Sequence, residues 1–216
     1  MAAGVAHELR NPLAVILARV QLLQLGLKNG TPVTADRLTR TLATIEEQAI
    51  RASKVIENLS TFARPRTPEL APTDLAGAVR QVIQETGGRA PTGPLAIEIE
   101  IADGAATVVA DRSQLTAALA QLVRNALDAM PGGGRLRVQA RRADSAIQIS
   151  VADTGVGVAL HDAPRIFEPF FSTRPGAAGL GLCVAQTVAG SHGGAVWLVA
   201  AGGPGAEFVL SLPERT

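Results

Sequence analysis

The sequence predicts an all-α helical hairpin followed by an α+β two-layer sandwich. Three observations carry this: heptad-spaced apolar residues up to about residue 64, a proline-rich break behind them, and a mixed pattern of alternating and helical periods beyond it.

In the first part, Leu9, Leu13, Ile16, Val20, Leu23 and Leu27 step by 4, 3, 4, 3, 4. Asn29-Gly30-Thr31-Pro32 interrupts the pattern, and it resumes through Leu38, Leu42, Ile45, Ala49, Ala52, Ile56, Leu59 and Ala63. Two antiparallel helices leave one side of each seam wet. Pairing two hairpins into a dimeric four-helix bundle buries it, so a homodimer is expected. The alternative is a hairpin packed on the rest of its own chain. Arg64-Pro65-Arg66-Thr67-Pro68 ends the second helix and reads as a linker. The expected domains are therefore 1–66 and 67–216.

In the second part, Asp74 to Thr86 reads as a helix, Leu95–Ile101 as an alternating strand and Thr107–Ala110 as a short one. Asp111-Arg112-Ser113-Gln114 is a capping-box-like start to a helix reaching about Met130, stopped by Pro131-Gly132-Gly133-Gly134. Strands follow at Arg135–Arg141 and Ala146–Ala152, then a Gly/Pro-rich loop region and a helix from about Leu180 to Ser191. Strands at Ala195–Val199 and Glu207–Leu212 close the chain. Helices mixed with adjacent antiparallel strands predict one helical layer on one sheet.

Composition narrows the function classes. The 216 residues are 47% hydrophobic with net charge +1 and no long basic run, which argues against nucleic acid as a partner. Without Tyr and with one Trp, the chain offers no aromatic base-stacking platform. The single Cys183 excludes an internal disulfide and fits a reducing compartment. No apolar run approaches the roughly 20 residues of a membrane span, so no membrane contact is expected of this stretch. His, Glu and Arg within the first ten residues argue against a signal peptide. The chain begins inside what reads as a helix, and an upstream sensor region is expected to precede it.

Three separated motifs carry the chemistry. The first is His7-Glu8-Leu9-Arg10-Asn11-Pro12. His7 lies off the Leu9/Leu13 seam, so its imidazole is expected in solvent, where the neutral ring is a nucleophile. Glu8 is placed to take the ring proton, although adjacent helical residues do not face each other. Asn11, at i+4, shares the face of His7, and its amide could orient a water. Pro12 is expected to bend the helix. The second motif is Asn125-Ala126-Leu127-Asp128-Ala129, where the Asn125 carbonyl could complete a magnesium shell or simply be a hydrogen-bonded core group.

The third motif is Asp153-Thr154-Gly155-Val156-Gly157, followed by Gly179-Leu180-Gly181. The Asp153 carboxylate could accept from an exocyclic amine such as that of adenine, while Gly155 and Gly157 let the backbone turn sharply beside the base. Gly179, Leu180 and Gly181, opening a helix, form a plausible phosphate cradle. Between them, three of the five Phe residues (Phe167, Phe170, Phe171) fall within five positions, followed by Thr173 and Arg174. This segment reads either as a core anchor or as the hinge of a mobile lid, with Arg174 reaching a phosphate.

Taken together, these motifs resemble the catalytic core of bacterial sensor histidine kinases of two-component systems, over essentially the full length. His7–Pro12 looks like the H-box, Asn125–Ala129 the N-box, Asp153–Gly157 the G1 box, Phe167–Thr173 the F-box and Gly179–Leu182 the G2 box. The linker Phe62-Ala63-Arg64-Pro65 and the run Phe167–Thr173 are most similar to the nitrogen-regulation branch.

The resemblance implies a phosphotransfer and dimerisation hairpin and a Bergerat-type ATPase domain. It implies Mg2+ and ATP as cofactors, autophosphorylation of His7, transfer to a response-regulator receiver domain, and phosphatase activity toward that regulator. It assigns Glu8 as general base, Asn125 as metal ligand, Asp153 as adenine reader and Asn11 to water positioning. The implied location is cytoplasmic, with a longer membrane-bound or soluble sensor as the context. Two departures stand out: Ala177 and Ala178 replace a Gly and a Thr frequent in the family, and Gln121 replaces a frequent Asn. The first motivates a non-enzymatic scaffold as the competing reading. A clamp-type Bergerat ATPase fits poorly with His7 and the short chain.

Overall fold

The computed structural model describes residues 2–30, 33–63, 66–86, 93–174, 177 and 179–214, with backbone alone at 2–8, 54, 58, 62 and 63. The chain divides into two compact units, Met1–Ser60 with Phe170–Gly179, and Thr61–Pro169 with Leu180–Thr216.

The first unit is built on helices α1 (Ala2–Lys28) and α2 (Ala35–Ala63). Pro12 lies inside α1, which continues through it. Gly30 ends the first helix in the left-handed region (φ 69°), its N–H donating to Leu27 O, a conformation glycine adopts without strain. Thr34 starts the second helix: its Oγ1 accepts from Arg37 N–H at 3.3 Å and its carbonyl from Leu38 N–H. Pro12, Thr41, Ala52 and Val55 are buried, whereas Leu13, Leu27, Leu38, Leu42 and Ile56 of the predicted seam stay exposed.

The second unit is a two-layer α+β sandwich. Its sheet runs β2 (Leu95–Ile101), β4 (Gly134–Ala143), β5 (Ala146–Asp153), β7 (Ala206–Pro213), β6 (Ala195–Leu198). β2 and β4 are parallel and the other pairs antiparallel. Helices α3 (Leu75–Thr86), α4 (Arg112–Ala129) and α5 (Gly181–Ser191) form the other layer, with α4 packed against both neighbours. Strict alternation buries Ile147, Ile149, Val151 and Asp153 of β5, beside Leu136 and Val138 of β4 and Phe208, Leu210 and Leu212 of β7. Leu115, Leu119 and Leu122 of α4 close the core. The opposite face carries polar pairs such as Arg137 Nε–Glu98 Oε2 at 2.9 Å.

One strand lies outside the sequence expectation. β1 (Ala71–Asp74) pairs with β3 (Thr107–Ala110) as a separate antiparallel ribbon, with Pro72 opposite Val109. The sequence expectation leaves 69–73 without an element and starts a helix at Asp74; a proline is tolerated in an edge strand. The capping box is half made. Asp111 Oδ1 accepts from Ser113 and Gln114 N–H at 3.0 and 3.1 Å. Gln114 does not reciprocate; the Asp111 N–H donates to His192 Nε2 at 3.1 Å instead. Among the described residues no helix is long and apolar enough to cross a membrane.

Candidate functional site

The site in the sandwich unit is built where β5 ends and α4 ends beside it. Asp153 is the last residue of β5 and 9% exposed. Its Oδ1 accepts from Gly155 N–H at 2.8 Å. Burial pushes its pKa above the ordinary carboxylate value, with backbone N–H groups of Gly155 and Ala206 working against the rise. Gly155 passes so close to α4 that a Cβ there would lie 2.4 Å from Ala129 O. Gly157 turns in the left-handed region at φ 74°, the geometry that calls for glycine.

α4 supplies the polar stripe. Gln121 is buried, Asn125 half-buried and Asp128 exposed, at successive i+4 and i+3 positions on one face. Gln121 faces the start of α5: a Cβ on Gly181 would meet its Oε1 at 3.1 Å. Leu180 is buried and precedes α5 without a side-chain cap, leaving the first amides of that helix to other acceptors. Phe167 packs edge-on against the buried Phe208, ring centroids 6.3 Å apart, so it acts as the core anchor of its loop.

The segment from Phe170 to Gly179 belongs to the hairpin's unit. Phe170 has φ 69°, unusual for a bulky residue, and its N–H donates to Gly179 O at 2.9 Å. Gly179, at φ 62°, leaves no room for a Cβ, which would sit 2.5 Å from Phe170 C. The two ends of the segment are thus pinned together. Inside it Phe171 and Arg174 are half-buried and Thr173 is exposed. Ser172 Oγ accepts from Arg174 N–H at 3.0 Å. Ala178 lies outside the described residues, while Ala177 N–H donates to Arg174 O. On α1, Asn11 is exposed. His7 and Glu8 are helical there, and their side chains lie outside the described set.

A second polar centre grows from the Asp111 cap, and its distant partners carry no signal in the sequence. Asp111 is 5% exposed. Burial raises its pKa, but the Ser113 hydroxyl and the N–H groups of Gln114, Glu69 and Ser113 outweigh that and hold it at about 2. The linker joins this centre: Arg66 Nη2 donates to Ser113 Oγ at 3.1 Å, and Gln114 Nε2 to Arg66 O at 3.1 Å. Because His192 Nε2 accepts from Asp111, its Nδ1 carries the proton and donates to Val188 O at 2.8 Å. Cys183 is buried, with burial raising its pKa to about 11, so it is not a nucleophile.

Residues 1–68 match the family model of the His Kinase A (phospho-acceptor) domain. Residues 110–216 match that of the histidine kinase-, DNA gyrase B-, and HSP90-like ATPase. The chain is 33% identical over 215 residues to the signal transduction histidine-protein kinase AtoS of Escherichia coli K12, covering 98% of this chain and 34% of that protein. It is 30% identical to the sensor protein FixL of Bradyrhizobium diazoefficiens, covering 99% of this chain and 43% of that one. Among solved structures, full-length ShkA in complex with AMPPNP superposes with a TM-score of 0.74 at 32% identity, over 99% of this chain and 45% of that one. The chain thus spans between a third and a half of these longer relatives.

Proposed function

The chain belongs to the histidine kinase family, and from that premise we propose that it phosphorylates its own His7 from ATP and passes the phosphoryl group to a response-regulator aspartate. The observation that carries the reading is Asp153: a buried carboxylate with one oxygen held by a backbone N–H, at the end of a strand in an ATPase-type sheet. A phospho-acceptor hairpin in the same chain supplies the nucleophile.

In the proposed reaction, Asp153 accepts from the adenine amine, and Gly155 and Gly157 let the base approach the backbone. Gly179, Leu180 and Gly181 offer amides to the phosphates, with Thr173 and Arg174 on the same lid. The His7 imidazole attacks the γ-phosphorus, ADP leaves, and Glu8 takes the ring proton. A regulator aspartate then removes the phosphoryl group from the imidazole. In the reverse regime, Asn11 orients a water onto the regulator's aspartyl phosphate. The Asn125 amide oxygen is a hard oxygen donor, which fits Mg2+, and Asp128 on the same face of α4 joins the nucleotide-binding set. When bound, that ion supplies charge neutralisation on the phosphates.

The exposed Leu13, Leu27, Leu38, Leu42 and Ile56 support a homodimer through the hairpin. We assign the domains as 1–66 for phosphotransfer and 67–216 for catalysis. The wording of residues 62–65 and 167–173 points to the nitrogen-regulation-like branch, working in the cytoplasm.

The test is incubation with γ-labelled ATP and magnesium, then acid and base treatment. Label that is acid-labile, base-stable and absent from His7→Ala is expected, while Asn125→Ala should lose both labelling and tight nucleotide binding. Retained label in His7→Ala overturns the assignment. Absent label despite ATP binding favours a scaffold with an altered lid at Ala177 and Ala178.

A further inference from the structure

The turn after Asp153 is clasped from behind by a loop the proposed mechanism does not use, the β6–β7 connection at 199–205. Gly205 N–H donates to Gly155 O at 2.7 Å and Gly202 N–H to Val158 O at 2.8 Å. The two backbones approach so closely that a Cβ on Gly157 would lie 2.1 Å from Gly203 O and 2.9 Å from Gly205 O. Gly205 itself, at φ 75°, passes under the strand end: its Cβ would sit 2.3 Å from Asp153 O. On the far side, Val156 N–H donates to Ala129 O at 3.2 Å. The turn is therefore held between the last carbonyls of α4 and this loop, and glycines let the backbones meet with no side chain between them.

We propose that the Gly202–Gly205 loop is a positioning element for base recognition, and that Gly205 is the residue that sets where Asp153 stands. This rests on the nucleotide reading of the site. Asp153 reads the base from the end of β5, paired with Ala206 directly after Gly205. A Cβ at Gly205 would force the backbone at Asp153 O to move, and that shift is delivered to the reading carboxylate. It leaves Asn125 on α4 and the first turn of α5 in place. Gly205 touches no nucleotide atom in this account, so its effect reaches the base through Asp153.

The test compares ATP with inosine triphosphate, in which a carbonyl replaces the exocyclic amine, using the full chain. The wild-type protein is expected to prefer ATP. Gly205→Ala should weaken ATP about tenfold, the scale of one lost hydrogen bond to a charged group, with inosine triphosphate binding unchanged. Labelling of His7 at saturating ATP should be retained, giving a KM change without a kcat change. Gly190→Ala is the control, because a Cβ there meets nothing within 4 Å.

If circular dichroism shows Gly205→Ala unfolded, Gly202→Ala carries the test. It has φ 88° but meets only the Leu160 side chain, and should give a smaller shift of the ATP preference in the same direction. Equal weakening of both nucleotides, or an unchanged preference in a folded variant, overturns the proposal. A wild-type chain that binds ATP without preferring it also overturns it. A wild-type chain that binds no ATP removes the nucleotide reading itself, so the two failures are distinguishable.

Discussion

At Asp153 the proposed base-reading role and stability pull in opposite directions. Burial raises its pKa, so ionisation at neutral pH costs folding free energy. Stability from the protonated form is full below the unfolded carboxylate range and lost as pH rises through the folded value. Asp153→Asn keeps the acceptor for Gly155 N–H and removes the charge. It is expected to raise the thermal midpoint at pH 7 while abolishing ATP binding, with the gain vanishing below about pH 4. Scanning calorimetry across pH checks this, and a destabilised Asn variant at pH 7 would count against it. Asp111 has the opposite sign. Its pKa of about 2 lies below the usual 3.8, so it stabilises the fold above the unfolded value and loses that contribution as pH falls toward 2. Asp111→Ala should cost about 2 kcal/mol in urea unfolding at pH 7 and much less at pH 2.5.

At the scale of elements, α4 is the axis of the sandwich unit. Its start is tied to the linker through Arg66 and to the end of α5 through His192, and its end abuts the turn after Asp153. His192→Phe should fill similar space but strand the buried Asp111 N–H, costing about 1–3 kcal/mol. Hydrogen exchange at Asp111 and the first turn of α4 would reveal the loosening; unchanged protection would show that water or a neighbour replaces the ring. The 170–179 segment depends on its closed base. Gly179→Ala meets backbone on two residues and a left-handed φ, so ATP labelling of His7 should fall by at least about tenfold. Melting of the sandwich core should hardly change.

For the whole molecule, the decisive feature is the hairpin's open apolar side. Leu27 is 67% exposed and Leu42 53%, on helices whose spacing calls for a facing partner. Leu38→Lys with Leu42→Lys is expected to shift sedimentation from dimer to monomer while leaving ATP affinity intact. A dimer that survives both substitutions would place the interface elsewhere.

Local pattern and chain chemistry were enough for much of this protein. Heptads, alternation and the Asp111 cap made the hairpin, the helices and most strands legible, because these signals repeat within a few residues. His7, Asn125 and Asp153 stand out as candidate chemistry because their motifs occur together in one chain; each is a weak signal alone. What only the tertiary structure decided depends on partners distant in sequence. β1 exists because β3 lies beside it, with Ala71 paired to Ala110, 39 residues on. Asp111 N–H abandons its expected local partner for His192, 81 residues away. The glycines at 202–205 are ordinary turn formers until the fold lays them against Gly155 and Gly157. A local code specifies which residues can bond or turn; which of those options is used is settled by burial, because only a formed core leaves a polar group no alternative to the partner the fold provides.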